Sequence, residues 1–254
     1  NANYYRLYFC PEFSTKNSCI RFLPHTGLAL LEACEAMTGI PIQSISLDDP
    51  RVIEQITKVN EDFTLYNTLL EQACRHFGLS MFEVKKHGTD EALPAWDKLF
   101  RLMPFKNVDD LARISSLMHS TGAWEENGEH LVESGSIDAQ RIIACREDVF
   151  EYLTQKGMDY PSANALMHYI CMGRAKRSSP DLIRGFLPPQ WEQLCACGAD
   201  DWFIESCQKI SYLFPRSHNV QLAISAMRLV WYTIYYLEQA KEAFEQVLAE
   251  NDNN

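Results

Sequence analysis

Cationic side chains are scarce in this sequence. Only 23 Lys and Arg stand against 34 Asp and Glu, which gives a formal net charge of −11 over 254 residues. Nonspecific coating of nucleic acid needs clustered cations, so the acidic balance disfavours that class of protein but allows a local basic face. Apolar runs are short as well, and none approaches the roughly 18 residues that a bilayer span requires. We therefore expect no membrane protein.

Motifs of the common phosphate-binding and hydrolytic enzymes are also missing. The sequence has no GxxxxGK[ST] loop, no GxGxxG after a strand, no GxSxG elbow and no HExxH pair. Nine cysteines, an odd number without a cationic, apolar leader, favour reduced thiols and predict a cytoplasmic protein. The opening Asn1-Ala2 is typical of the scar of a removed purification tag, so we expect a piece of a longer protein.

Two sets of side chains have the residue types of metal ligands. The first consists of four cysteines within helical patterns: Cys171, Cys195, Cys197 and Cys207. Their CxC spacing with a ten-residue gap is unusual for zinc and favours buried structural cysteine. The second combines His130 and Glu133, which share a helix face, with the distant His119, and favours capping or surface roles. We predict neither a metal nor another cofactor.

The hydrophobic period changes near residue 26. Before it, the short aromatic or β-branched runs YYRLYF and SCIRFL predict two strands. After it, the pattern is helical, so the sequence predicts a mainly α fold with a small N-terminal β element. Helices are predicted at 27–39, after Asp49, and at 63–78, 93–103, 107–118, 128–134, 137–144, 146–156, 160–172, 189–197, 199–212 and 217–248. The expected domains are a β element at 1–25, a helical domain at 26–236, and a projecting helix end with a polar tail at 237–254.

Two short stretches supply candidate contacts for phosphate. MGRAKRSS at 172–179 is followed by Arg184, and FPRSHN begins the last helical pattern, where a helix N-terminus offers free N–H groups and a positive dipole end. The candidate set is Arg174, Lys176, Arg177, Lys209, Arg216 and His218. Two alternatives stay open: the basic loop is merely solvated, or Arg216 pairs with a nearby carboxylate.

Four longer blocks carry a family resemblance. They are TGIPIQSISLDDPRVIEQI, LARISSLMHSTGAW, IIACREDVFEYLTQKGMD and DDWFIESCQKISYLFPRSHNVQLAISAMRLVWY. In order and spacing they resemble the helical fingers region of the PolC-type DNA polymerase III alpha subunit, a family C replicative polymerase. The resemblance runs from about Ser18 to Tyr236, and the basic character of MGRAKR and FPRSHN agrees with it.

The resemblance also implies what this chain has lost. Polymerases of that family resemble other two-metal enzymes, in which palm aspartates hold the ions. One of those aspartates falls at Arg21 in SCIRFLPH, and the first aspartate of this chain is Asp48. A glycine-rich fingers segment of the family is replaced by KHGTDEALPAW. We therefore expect no catalytic residue and no polymerase activity, with Arg21 marking a lost catalytic position.

Two functional hypotheses follow from different classes of protein. The first is a degenerate, noncatalytic relative of the polymerase fingers that retains weak binding to DNA or nucleotide phosphate. The second is a helical interaction module that binds a replisome protein. Salt-dependent DNA binding favours the first hypothesis, and its absence together with protein binding favours the second.

Overall fold

The fold is known from a computed structural model, which describes residues 5–9, 20–24, 26–58, 99, 102–103 and 105–252. These residues form a two-stranded antiparallel sheet, of strands β1 (Tyr5–Phe9) and β2 (Ile20–Pro24), and ten α-helices. The helices are α1 (Thr26–Thr38), α2 (Pro50–Lys58), α3 (Val108–His119), α4 (Glu129–Glu133), α5 (Arg146–Gln155), α6 (Tyr160–Cys171), α7 (Pro188–Ala196), α8 (Asp201–Lys209), α9 (Arg216–Tyr235) and α10 (Leu237–Asp252). The predicted mainly α fold is confirmed.

Local signals explain where several helices begin and end. Gly39, at φ 70°, terminates α1, and its N–H donates to the carbonyl of Glu35 at 2.8 Å. Asp49 caps α2, because its Oδ1 accepts from the N–H of Arg51 at 2.9 Å. Asp159 caps α6 in the same way, through the N–H of Ser162 at 3.0 Å. The first two of these positions agree with the predicted helix limits.

The contacts divide the chain into two compact units. The first comprises Asn1–Leu93, Phe105–Leu111 and Val220–Asn254, and the second comprises Pro94–Pro104 and Ala112–Asn219. The predicted domain limits at 25 and 236 stay predictions. Among the described residues, no helix is long and apolar enough to span a bilayer.

The C-terminal helix packs within the first unit. It lies against α1, and Ala240, Ala243 and Phe244 on its inner face are buried. The Tyr232 hydroxyl donates to the carbonyl of Ile40 at 2.6 Å. The projecting end predicted for 237–254 from the drop in aromatic residues stays a prediction; the buried face of this helix combines alanine spacing with one aromatic side chain, Phe244.

The second unit has a core of large aromatic side chains. Trp124, Phe186 and Phe203 are almost fully buried, and Tyr152 stacks on Phe203 with ring centroids 3.8 Å apart. Helices α5 and α6 pack against each other around this core. The Tyr152 hydroxyl also donates to Asp200 at 2.8 Å, which fixes the start of α8.

Three predicted helix limits need correction. Residues 137–144 form turns because side chains from α3 bind the carbonyls that a helix there would use: Arg113 donates to Ala139 and Ile142. The long helix predicted at 217–248 is two helices, separated at Tyr236. The helix predicted at 199–212 ends at Lys209, where the next residue becomes extended. The prediction at 63–78 and most of that at 93–103 lie outside the described residues.

Candidate nucleic-acid interface

A short 3-10 turn, Arg174–Lys176, presents the predicted basic cluster in the second unit. Gly173 precedes it at φ 68°, a left-handed conformation that favours glycine. The Lys176 ammonium donates to the Ser211 hydroxyl at 3.0 Å, which ties the turn to the segment after α8. Arg174 and Arg177 are exposed, and neither guanidinium has a hydrogen-bond or carboxylate partner among the described residues. The turn therefore offers two cations that are available to an anion.

The electrostatic effect of these arginines reaches the underlying helix. Burial raises the pKa of Tyr169, while the positive charges of Arg177 and Arg174 oppose that rise. The Tyr169 hydroxyl donates to the carbonyl of Gly185 at 2.9 Å. Tyr169 of α6 thus feels the charge of the basic turn and also contacts the loop that follows the turn.

The loop after the turn lines a cavity of about 210 Å³ that is partly open to solvent. Its polar lining comes from Lys176, Arg177, Ser178, Ser179, Arg184 and Gln208. Arg184 pairs with Asp201 at 2.8 Å and lies over the Trp191 ring, 5.6 Å from its centroid. Sequence reasoning noted Arg184 without including it in the site and missed both serines and Gln208. The sequence signal that indicates a tight turn at this place is the Arg184-Gly185 pair.

Arg216 has a different environment, because carboxylates of α5 surround it. Its guanidinium makes a bidentate pair with Glu151, at 2.7 and 2.8 Å, and donates to Asp148 at 2.9 Å. Its backbone N–H, at the start of α9, donates to Glu147 at 2.7 Å. These hydrogen bonds, those to Glu151 above all, raise the pKa of Arg216. Of the two alternatives for Arg216, carboxylate pairing describes the contacts.

Asp148 is the centre of this arrangement, which we call the carboxylate clamp: Glu147, Asp148, Glu151 and Arg216. The side chain of Asp148 is only 12% exposed, and its Oδ2 accepts from the N–H groups of Ala144 and Cys145 at 2.8 and 3.0 Å. Arg113 approaches the same carboxylate at 3.4 Å. Burial raises the pKa of the neighbouring Cys145 thiol, and the charge of Asp148 adds to that rise. The clamp therefore holds α5 to the start of α9.

The remaining predicted residues lie at neither the basic turn nor the clamp. The Lys209 ammonium donates to the carbonyl of Glu126 at 2.7 Å, in a turn where Glu126 has a positive φ of 54°. His218 stacks on Phe214, with ring centroids 5.0 Å apart, and meets His119 edge to face at 5.9 Å. Arg21 occupies β2, opposite Tyr8 in the register of the sheet. The structure thus brings together only the three cations of residues 174–177.

The two candidate metal sets do not assemble. No group of three or more His, Cys, Asp or Glu side chains with a metal-site arrangement occurs in the described part of the chain. Cys171 and Cys207 are buried, as expected for structural cysteine. Cys195 is exposed, which corrects that expectation for this residue; in the same turn of α7 it is the neighbouring Leu194 that is buried.

Comparison with known proteins gives relatives that are DNA polymerases III of the PolC type. The chain is 29% identical over 233 residues to the DNA polymerase III PolC-type of Caldanaerobacter subterraneus subsp. tengcongensis, covering 91% of this chain and 15% of that protein. It is 28% identical over 231 residues to that of Clostridium perfringens, and 27% over 214 residues to that of Lactococcus lactis subsp. lactis. No protein-family model matches the chain.

These relatives confirm the resemblance to PolC-type polymerases: the chain is similar to a part of them. The chain spans about 15% of the length of the first of these relatives, with 14% and 12% for the other two. Its assignment to the fingers, and the loss of catalytic function at Arg21, stay predictions.

Proposed function

We propose that this chain is a noncatalytic relative of the PolC-type polymerase fingers that binds nucleic-acid phosphates through the basic turn of Arg174, Lys176 and Arg177. The observation that carries the proposal is the pair of exposed arginines, Arg174 and Arg177, without a carboxylate partner in the described residues. In a chain of net charge −11, two such arginines on one short turn form a local concentration of positive charge. A DNA or replisome context and a cytoplasmic location are parts of the same proposal.

The other predicted residues have narrower roles in this proposal. Lys209 supports the turn at Glu126, and His218 packs in an aromatic cluster, so both shape the surface rather than supply charge. For Arg216 we propose a structural role, because Glu151 and Asp148 already satisfy its guanidinium. A phosphate at that position has to displace carboxylates that are held by the same helix.

Binding is tested by fluorescence anisotropy of a labelled single-stranded oligonucleotide across a salt series. The unmodified protein is expected to bind weakly, with affinity that falls as salt rises. The double variant Arg174→Ala/Arg177→Ala is expected to bind several-fold more weakly and to flatten the log–log salt slope by about 1.4, because each lost phosphate contact contributes about 0.7 on a single strand.

Arg141→Ala is the matched control, since Arg141 is also exposed and lies on the turn before α5, outside the basic turn. It removes one positive charge, whereas the double variant removes two, and it is expected to leave affinity and slope unchanged. Equal curves for the control and the double variant contradict the assignment to residues 174–177. Absence of binding at low salt rejects nucleic-acid binding and favours the interaction-module hypothesis.

The noncatalytic part of the proposal has its own test. Primer extension with all four deoxynucleotides and magnesium or manganese is expected to give no product, because a cation at Arg21 repels the ions that an aspartate holds. Templated extension by the purified chain contradicts this part without affecting the binding assay.

A further inference from the structure

The cavity behind the basic turn adds further polar groups to two cations of that turn. Lys176 and Arg177 line it together with Arg184, the Ser178 hydroxyl and the backbone N–H groups of Ser178 and Ser179, while the Ser179 hydroxyl already donates to Asp181. The backbone N–H groups of these serines have no acceptor among the described residues. We propose that this cavity binds a terminal phosphate, that is, the dianionic end of a phosphomonoester.

The walls of the cavity are fixed before any ligand arrives. Ile183 and Phe186 exchange backbone hydrogen bonds at 2.8 and 3.0 Å across a tight turn. Gly185 in that turn has φ 85°, and a Cβ there would overlap the carbonyl of Ala175. Gln208 donates to the carbonyl of Arg184 at 2.9 Å and anchors the turn to α8. A preorganised cavity loses little entropy when it binds a ligand.

The charges inside the cavity favour an anion. Arg177 has no hydrogen-bond or carboxylate partner among the described residues, and the Lys176 ammonium uses one of its three donors on Ser211. Arg184 pairs with Asp201 at 2.8 Å and with Glu205 at 3.7 Å, so its charge is partly offset and Lys176 and Arg177 are the main cations of the site. Asp181, the nearest carboxylate in sequence, accepts from the Ser179 hydroxyl, which lowers its pKa, and it lies outside the lining. The lining residues themselves therefore contribute positive charge only.

Size and the number of donors select the kind of phosphate. A volume of about 210 Å³ is below the roughly 300 Å³ at which sites for drug-sized ligands begin, and the cavity is partly open to solvent. A phosphate group therefore fits inside, while the rest of the ligand extends outward. A terminal phosphate presents three unesterified oxygens to several donors, whereas a diester has two and must leave the site in both directions. The cavity therefore fits a chain end or a small phosphomonoester better than a continuous backbone.

This inference rests on the proposed function where the ligand is an oligonucleotide; binding of a small phosphomonoester does not depend on it. The test uses the full 254-residue chain and two labelled oligonucleotides of one sequence, with a 5′-phosphate or a 5′-hydroxyl. The 5′-phosphate form is expected to bind about tenfold more tightly, and Arg177→Gln is expected to remove this ratio. Arg174→Gln is the control, because Arg174 lies on the same turn outside the lining: it is expected to weaken both forms and keep the ratio.

A parallel titration with inorganic phosphate is monitored through the NMR amide signals of Ser178 and Ser179. It distinguishes a site for a small phosphate ligand from one that needs an oligonucleotide end. Equal binding of the two oligonucleotides, without shifts of these amides, overturns the terminal-phosphate site and leaves the proposed function intact. No binding of either oligonucleotide, with saturable amide shifts, supports the site for a small phosphomonoester and rejects the proposed function. If neither oligonucleotide binds and the amides do not shift, both the terminal-phosphate site and the proposed function are overturned.

Discussion

Replacing Arg216 with Ala is expected to destabilise the second unit through loss of the carboxylate clamp. The bidentate pair with Glu151 is half exposed, with side chains 41% and 48% accessible, so it is worth about 0.5–1 kcal/mol after screening. The hydrogen bond to Asp148 contributes more, because that carboxylate is only 12% exposed. Asp148 keeps the donors at Ala144, Cys145 and Arg113, so we take the low end of the charged range, about 1.5 kcal/mol.

The sum, about 2–2.5 kcal/mol, corresponds to a melting temperature lower by roughly 4–10 °C for a chain of this size. Thermal and urea unfolding, followed by tryptophan fluorescence, measure it. Glu151→Gln removes only the exposed pair and is expected to cost less than about 1 kcal/mol. In 1 M salt the deficit of Glu151→Gln is expected to shrink, whereas that of Arg216→Ala mostly remains.

Arg174→Ala is the matched control, because Arg174 is an exposed arginine without a partner among the described residues. It is expected to change stability by no more than about 0.5 kcal/mol. If Arg216→Ala unfolds within 0.5 kcal/mol of this control, the clamp is not a stabilising contact. The structural role that we propose for Arg216 is then rejected.

Three further predictions concern other parts of the second unit. Gly185→Ala is expected to cost about 2 kcal/mol or more in urea unfolding, since the positive φ and a backbone carbonyl both oppose a Cβ; a loss under about 0.5 kcal/mol contradicts this. Hydrogen bonds from Tyr152 lower the pKa of Asp200, so its contribution to stability is present near neutral pH and is lost as pH falls through that lowered pKa; an NMR titration at or above the ordinary value of about 3.9 refutes it. Cys195 is expected to react with a thiol reagent in the native protein, whereas Cys207, whose pKa burial raises, reacts only after unfolding; mass spectrometry that finds both labelled equally fast excludes this difference.

The sequence predicts the fold well where local chemistry decides it. Asp49 caps α2 and Gly39 ends α1, as their residue types indicate. The turns at 137–144 were missed because Arg113, distant in the sequence, binds the backbone there. No local pattern contains such a contact, so propensity alone favoured a helix.

The candidate site was predictable in part for the same reason. Arg174, Lys176 and Arg177 are neighbours in sequence, and one short turn keeps them together. Arg216 looks equally available in the sequence, yet Glu151, 65 residues earlier, pairs with it. Gln208 joins the cavity only through the packing of α8. Both contacts join residues that are far apart in the sequence, so they follow from the folded chain and not from a local pattern.

Amide chemical-shift mapping with an unlabelled single-stranded oligonucleotide tests the central claim most directly. We predict saturable shifts concentrated at residues 173–186 and 208–211, with smaller changes at the carboxylate clamp. Shifts confined to other parts of the second unit or to the first unit, or none at low salt, contradict the assignment of nucleic-acid binding to the basic turn.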